Sequence, residues 1–284
     1  IKTRWIDINK GDDMNPVYRS RLVGKEFNTG EMDGIFAGTP PLEALRCLIH
    51  EAATVRGSKE DYRKYVMVND VARAFFEAPA VRQVCVEIPD EDLLPEDRAK
   101  DNVGHLQMSL YGTRDAAMNW QEKVAREMSK WGFKRGKYNP CLYWHEASNL
   151  MTLVHGDDFV SVGSSRAEAE FKKKLEARFE IKTQIIGPPP AASRACPDAS
   201  GSGTIESSAS SEGRVLNRVI RYTEDGWEIE PDQRHADILV QELGLSEARP
   251  VGTPGESEQR WEEEENEEHL ELADASRYRG LAAR

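Results

Sequence analysis

Two acidic sites in this chain have residue types and surroundings that could support chemistry. Asp70 lies within VMVNDVARAFF, and Asp157-Asp158 lie within LVHGDDFVSV. Both sit among apolar, strand-forming residues, where an ionised carboxylate is costly unless it is paired or binds a metal. A few Asp oxygens suit Mg²⁺, which keeps several waters and binds substrate phosphates, and Mn²⁺ is a second candidate. Two such ions roughly 3.5–4 Å apart activate a hydroxyl and stabilise the leaving oxygen in phosphoryl transfer. That chemistry requires carboxylates from separate strands to converge on one point, and it needs neither a His nor a nucleophilic Cys. Each site alone also has an ordinary reading. A DD pair is common hairpin-turn chemistry, and a lone Asp after a strand is commonly a cap or turn residue.

The elements that must position these residues can be read from periodicity. Pro41 to Val55 has helical spacing, with Leu42, Leu45, Leu48 and Ile49 on one side. Tyr65 to Val71 reads as a strand, and Val84 to Ile88 as a second strand that stops at Pro89. Asp115 to Trp131 reads as an amphipathic helix with Ala116, Trp120, Val124 and Met128 on one face, ending at Gly132. Leu150 to Val162 reads as strand, turn, strand, with Gly156-Asp157-Asp158 at the turn. A helix follows over Arg166 to Phe179. Val215 to Ile229 reads as a hairpin turning at Asp225-Gly226, and Gln233 to Leu243 as a helix that ends at Gly244.

Composition sets wider bounds. The 284 residues are 39% apolar and 31% charged, which fits a globular protein. No run of about 18 apolar residues marks a membrane span. The start, IKTRW, reads as part of something longer and carries no secretory signal. Cys47, Cys85, Cys141 and Cys196 form no CxxC pair, so reduced thiols in an intracellular protein are the expectation. The net charge of −12 is unevenly spread, with nine Glu and one Arg between Glu256 and Glu271. Charge therefore neither establishes nor excludes a nucleic-acid partner. Gly187 to Gly213 is rich in Pro, Ser, Ala and Gly and reads as a flexible insertion.

Taken in order, a series of blocks resembles the reverse transcriptase of copia-type LTR retrotransposons. YRSRLVGKEF from Tyr18 is similar to YKARLVAKGF, FAGTPPLEALR to the family's FSPV segment, and NDVARAFFEAP to MDVKTAFLNG. SLYGTRDAAMNW from Ser109 is similar to SLYGLKQAPRAW, and GFKRGKYNPCLYW to a GF followed by spaced D-x-x-L-F. VHGDDFV occupies the place of YVDDLL, and DQRHADILVQELGLSEARPVGTPG that of the Q-x-x-Y-x-x-x-L-L and TP segment. Tyr278-Arg279 stands where the family has YR-x-L-V-G.

The resemblance implies an α+β fold, a fingers–palm–thumb polymerase core with an antiparallel palm sheet packed on helices. It implies fingers and palm over 1–186, the insertion over 187–213, a primer-grip hairpin and thumb-like helix over 214–250, and an acidic, partly disordered segment over 251–284. Asp70 and Asp157 would hold both metal ions, with Asp158 contributing less directly. Phe75 would be the aromatic gate against a ribose 2′-hydroxyl, and Arg19, Arg21 and Lys25 would meet the incoming triphosphate. Asp115 stands where the family has Gln beside the nucleotide, an anion that phosphate would repel unless it faces away. Trp120 reads as helix core, and His155 as a strand-packing residue. The implied partners are an RNA or DNA template with its primer, deoxynucleoside triphosphates, and the protease, integrase and RNase H regions of a polyprotein, with no membrane. A catalytically inactive or repurposed fragment, acting as a nucleic-acid-binding or assembly module, is the alternative, favoured by Asp115, by the end of the sequence before any RNase H region and by the acidic tail. The resemblance also implies a virus-like particle in the cytoplasm, or the nucleus, as the setting.

Overall fold

A computed structural model describes residues 1–27, 30, 35–54, 63–189, 205–249 and 271–283. The chain forms two compact units, one of residues 1–215 with 220–228 and the other of 216–219 with 229–284. The strands are β1 (Thr3–Asn9), β2 (Tyr18–Gly24), β3 (Lys64–Val71), β4 (Cys85–Val86), β5 (Gly104–His105), β6 (Lys134–Arg135) and β7 (Leu142–His145). They continue with β8 (Leu150–His155), β9 (Asp158–Ser164), β10 (Ile181–Ile186), β11 (Ala209–Ser210), β12 (Glu212–Val215), β13 (Arg218–Thr223) and β14 (Gly226–Ile229). The helices are α1 (Leu42–Ala53), α2 (Pro95–Lys100), α3 (Ala116–Lys130), α4 (Ser165–Glu176), α5 (Gln233–Glu242) and α6 (Leu272–Ala282). The mixed helix-and-sheet class is as expected.

The larger unit is organised on a seven-stranded sheet ordered β11-β10-β3-β9-β8-β7-β6, antiparallel except for the β10–β11 pair. Side chains alternate between its two faces, so one strand serves two cores. Tyr65, Met67 and Val71 of β3 join Trp120, Val124 and Met128 of α3 and Phe171 and Leu175 of α4 in the main apolar cluster. The opposite face carries Val66, Val68 and Asp70 on β3, in register with Val162, Val160 and Asp158 on β9. Helix α1, whose Leu45, Leu48 and Ile49 are buried, packs on β3, β8 and β9. Along β3 burial falls from Val66, fully buried, through Val68, half-buried, to Asp70, exposed. The carboxylates therefore stand at the open end of the face that α1 covers elsewhere.

The β1–β2 hairpin forms a separate two-stranded sheet in full register from Thr3↔Gly24 to Asn9↔Tyr18. Periodicity did not single out this hairpin, β7 or β10. The 84–88 strand shrinks to Cys85–Val86, paired with β5. The hairpin predicted over 215–229 is a three-stranded meander, β12-β13-β14, because Leu216 and Asn217 adopt positive φ (47° and 65°) and add a tight turn. Part of the 187–213 stretch is structured. Ile205 is 5% exposed within the main cluster, and Ala209–Ser210 extend the sheet as β11. One apolar side chain and a strand edge suffice to dock this Ser-rich segment; residues 190–204 lie outside the described residues. In the smaller unit Asp232 caps α5 through the Arg234 amide at 3.2 Å, and Gly244 ends it at φ +67°. Leu272–Ala282, within the segment expected to be acidic and partly disordered, is helical; residues 250–270 lie outside the described residues.

Candidate active site

Strand pairing brings the three aspartates to one place. Asp70, next to the end of β3, and Asp158, the first residue of β9, are direct register partners. Such pairs hold Cα atoms about 4.5–5.5 Å apart in an antiparallel ladder. Asp157 lies in the two-residue loop that joins β8 to β9, and its carbonyl accepts from the Val71 amide at 3.0 Å. Gly156 opens that loop at φ +61°, a conformation costly to any residue with a Cβ, and β9 then leaves in register with His155↔Asp158.

Among the described residues, no cation forms an ion pair with any of these carboxylates. Burial first, then the neighbouring charges of Asp157 and Asp70, lift the Asp158 carboxyl to about 6. Clustered, unpaired carboxylates fit a divalent cation. Among the described residues no three acidic, His or Cys groups enclose a metal position by themselves. The donor set therefore suits a hard ion that shares its coordination with water and phosphate oxygens.

Asp70 and Asp158 line an open cleft of about 600 Å³ together with Val68, Lys182, Gln184 and Arg214. Lys182 is the register partner of Asp70 on β10. Neither Lys182 nor Arg214 has an ion-pair partner among the described residues, so the cleft offers free positive charge beside its acidic end.

The turn is held from below. Trp120 is 2% exposed, and its indole N–H donates to the Gly156 carbonyl at 2.6 Å. Its ring meets Phe159 and Phe179 edge-on, with centroids 6.4 and 5.4 Å away. Trp120 is thus core, as its spacing indicated, and also the support of the acidic turn.

Phe75 is half-buried, and its ring lies 4.5 Å from that of Tyr111, which Phe76 also meets edge-on at 5.5 Å. The Arg21 guanidinium lies over the same Tyr111 ring at 5.6 Å, a cation–π distance. Arg19 and Arg21 share one face of the β1–β2 hairpin, opposite Ile8 and Ile6. The charges of Asp157, Arg21 and Arg19 all reach the Tyr111 hydroxyl, which burial pushes up. Tyr111 therefore gathers Phe75, Arg19, Arg21 and Asp157 into one neighbourhood. Lys25 follows the end of β2, and its backbone amide donates to the Lys2 carbonyl at 2.7 Å.

Asp115 does not face open space. It is 3% exposed, accepts from Arg82 at 2.8 Å and from Asn119 at 3.1 Å, and these contacts hold its carboxyl below the usual range despite burial. Both of its carboxylate oxygens are thus engaged inside the protein. Sequence reasoning singled out neither Tyr111, although it stands within the SLYG block, nor Arg82, for which no local pattern gave a signal.

The family model for reverse transcriptase (RNA-dependent DNA polymerase) matches residues 1–186. The chain belongs to the reverse transcriptase family. This reverse transcriptase domain is 26% identical over 201 residues to the Retrovirus-related Pol polyprotein from transposon TNT 1-94 of Nicotiana tabacum, which bears out the copia-type resemblance. That match covers 66% of the chain, and the chain spans 14% of the polyprotein's length. A solved structure of apo telomerase from Candida Tropicalis, truncated from its C-terminal domain, matches with a TM-score of 0.34 and 10% identity, covering 66% of this chain and 38% of that one. No helix of the described residues is long and apolar enough to cross a membrane.

Proposed function

We propose that this reverse transcriptase domain is an RNA-directed DNA polymerase that adds deoxynucleotides to a primer 3′ end and releases pyrophosphate. The observation that carries this reading is the direct register of Asp70 with Asp158, with Asp157 in the adjoining turn and no counter-cation on any of them among the described residues. Asp70 and Asp157 hold divalent ions, Mg²⁺ or Mn²⁺, and Asp158 contributes less directly. When bound, such ions lower the pKa of the primer hydroxyl and neutralise charge on the phosphates. In this reading the seven-stranded sheet is the palm, the β1–β2 hairpin belongs to the fingers, and α5 is thumb-like. Lys182 and Arg214 meet the backbone of the nucleic acid, whose charge they complement. Arg19 and Arg21 meet the triphosphate, with Arg suited to bidentate contact, and Phe75, braced by Tyr111, stands against the ribose 2′-hydroxyl. The further partners are a template of RNA or DNA and the other regions of a retrotransposon polyprotein.

Primer extension by the purified chain under Mg²⁺ and Mn²⁺, beside Asp157→Ala, tests the proposal. Extension by the parent and none by the variant is the expected outcome. Absence of extension by the parent under both metals removes the enzyme reading for this chain. Of the features behind the alternative of an inactive module, Asp115 is paired with Arg82 inside the protein.

A further inference from the structure

Arg82 lies outside the acidic cluster and outside every motif noted in the sequence, yet it joins two segments distant along the chain. Its guanidinium grips Glu26 with two hydrogen bonds, at 3.0 and 2.9 Å, and reaches Asp115 at 2.8 Å. Glu26 lies just past the end of β2 and also accepts from the Arg114 amide at 2.7 Å. Asp115 precedes α3, and through Asn119 its network continues to Ser109 at 3.1 Å. Both carboxyls are held below their usual range, Glu26 chiefly by Arg82 and Asp115 by Arg82 and Asn119 against its burial.

The backbone around this guanidinium is equally tight. The Gly24 amide donates to the Tyr111 carbonyl at 2.7 Å, and the Glu26 amide to the Gly112 carbonyl at 3.3 Å. Gly112 has φ +84°, and a Cβ there would stand 2.0 Å from the Gly24 carbonyl oxygen. The base of the β1–β2 hairpin is therefore pressed onto the segment 110–115 with no room for a side chain. Tyr111, in that segment, is the ring over which Arg21 of the hairpin lies. Glu26 stands where the resembled YKARLVAKGF pattern has Gly, and Asp115 where SLYGLKQAPRAW has Gln. Two acidic departures thus converge on one arginine.

We propose that Arg82 is a positioning residue that locks the β1–β2 hairpin to the 110–115 segment and so sets Arg21 and Tyr111 for the incoming nucleotide. The inference rests on the polymerase reading for its last step only. Arg82 touches no reacting atom; it acts by neutralising two half-buried or buried carboxylates that would otherwise repel each other and the nucleotide phosphates. Lys cannot replace it, because a single ammonium lacks the planar fork that serves both carboxylates.

The test compares the full chain with Arg82→Gln, Arg82→Lys and the neutral set Arg82→Gln/Glu26→Gln/Asp115→Asn. In primer extension, Arg82→Gln and Arg82→Lys raise the KM for deoxynucleotide by about tenfold or more, the scale of one lost charge-assisted contact. The kcat at saturating nucleotide and the affinity for primer–template change little. The neutral set recovers most of the KM, since it removes the repulsion along with the cation, and it keeps the comparison usable should the single variants fold poorly. Equal loss in kcat and KM effects, or no recovery in the neutral set, overturns the proposal. Hydrogen exchange supplies an arm independent of activity. Arg82→Gln speeds exchange at the Gly24 and Glu26 amides while β3 and β9 stay protected, and unchanged exchange at those two amides overturns the lock. If the parent shows no extension but the exchange result holds, the polymerase reading fails and the lock stands.

Discussion

Replacing Trp120 by Phe isolates the support of the acidic turn. The substitution removes the indole N–H that donates to the Gly156 carbonyl at 2.6 Å. A typical hydrogen bond is worth about 1 kcal/mol net, and because Gly156 is exposed its carbonyl regains water, so no orphan penalty is added. The smaller ring leaves a void against Phe159 and Phe179. Truncating a buried Trp to Ala costs about 3–5 kcal/mol, so a change that keeps a six-membered ring costs about 1–2 kcal/mol. The sum, about 2–3 kcal/mol, lowers Tm by roughly 4–12 °C in a unit of this size. The same change frees the Gly156-Asp157 loop, and a misplacement of about 1 Å at a reacting centre can cost on the order of 100-fold in rate. Calorimetry and single-nucleotide incorporation at saturating primer–template measure the two effects. A benzothienylalanine at position 120, which keeps the bicyclic shape and lacks the N–H, separates them: it keeps most of the stability and shares the rate loss. If that isostere incorporates nucleotide at the parental rate, the hydrogen bond does not hold the turn and the reasoning fails.

Three further outcomes follow from the same geometry. Asp158→Asn stabilises the fold in chelator at pH 8 by about 1 kcal/mol, after solvent screening of a half-buried group. Its carboxyl is raised from 3.8 to about 6, so the destabilisation it causes is absent below the lower value and complete above the upper one. A lower melting temperature for the variant at pH 8 contradicts this. Glu168 is fully buried on α4, accepts from Ser161 Oγ at 2.6 Å, and burial pushes it well above 4.5. Its protonated form is retained on folding, so its contribution is full below 4.5 and declines as pH rises; the urea-stability gap between Glu168→Gln and the parent should widen in favour of Gln from pH 4 to 8, and a constant gap refutes the assignment. Gly156→Ala costs about 1–2 kcal/mol from the left-handed φ alone, since its Cβ would meet open space. Unchanged urea midpoints would show that the turn tolerates another conformation.

The legible features were those with local physical signals. The apolar spacing of Leu45, Leu48 and Ile49 placed α1, and that of Trp120, Val124 and Met128 placed α3, because a buried helix face repeats every three to four residues. Gly244 marked the end of α5, since a left-handed residue favours glycine. β10 was missed because its apolar pair, Ile185 and Ile186, abuts a Pro-rich stretch, and β7 because four residues show too little alternation. Ile205 makes a contact that composition does not report. Composition marked its surroundings as flexible, but one buried side chain was enough to fix the segment's end.

The sequence by itself determined the family, the three aspartates and the strands and helices that carry them, since these are properties of residue order. Only the tertiary structure decided the register that sets Asp70 beside Asp158, the hydrogen bond from Trp120 to the acidic turn, and the pairing of Arg82 with Glu26 and Asp115. These contacts join residues 33 to 88 positions apart. No periodicity reports such a contact, because it depends on how separate elements pack. Asp115 gains its counter-ion Arg82 only on folding.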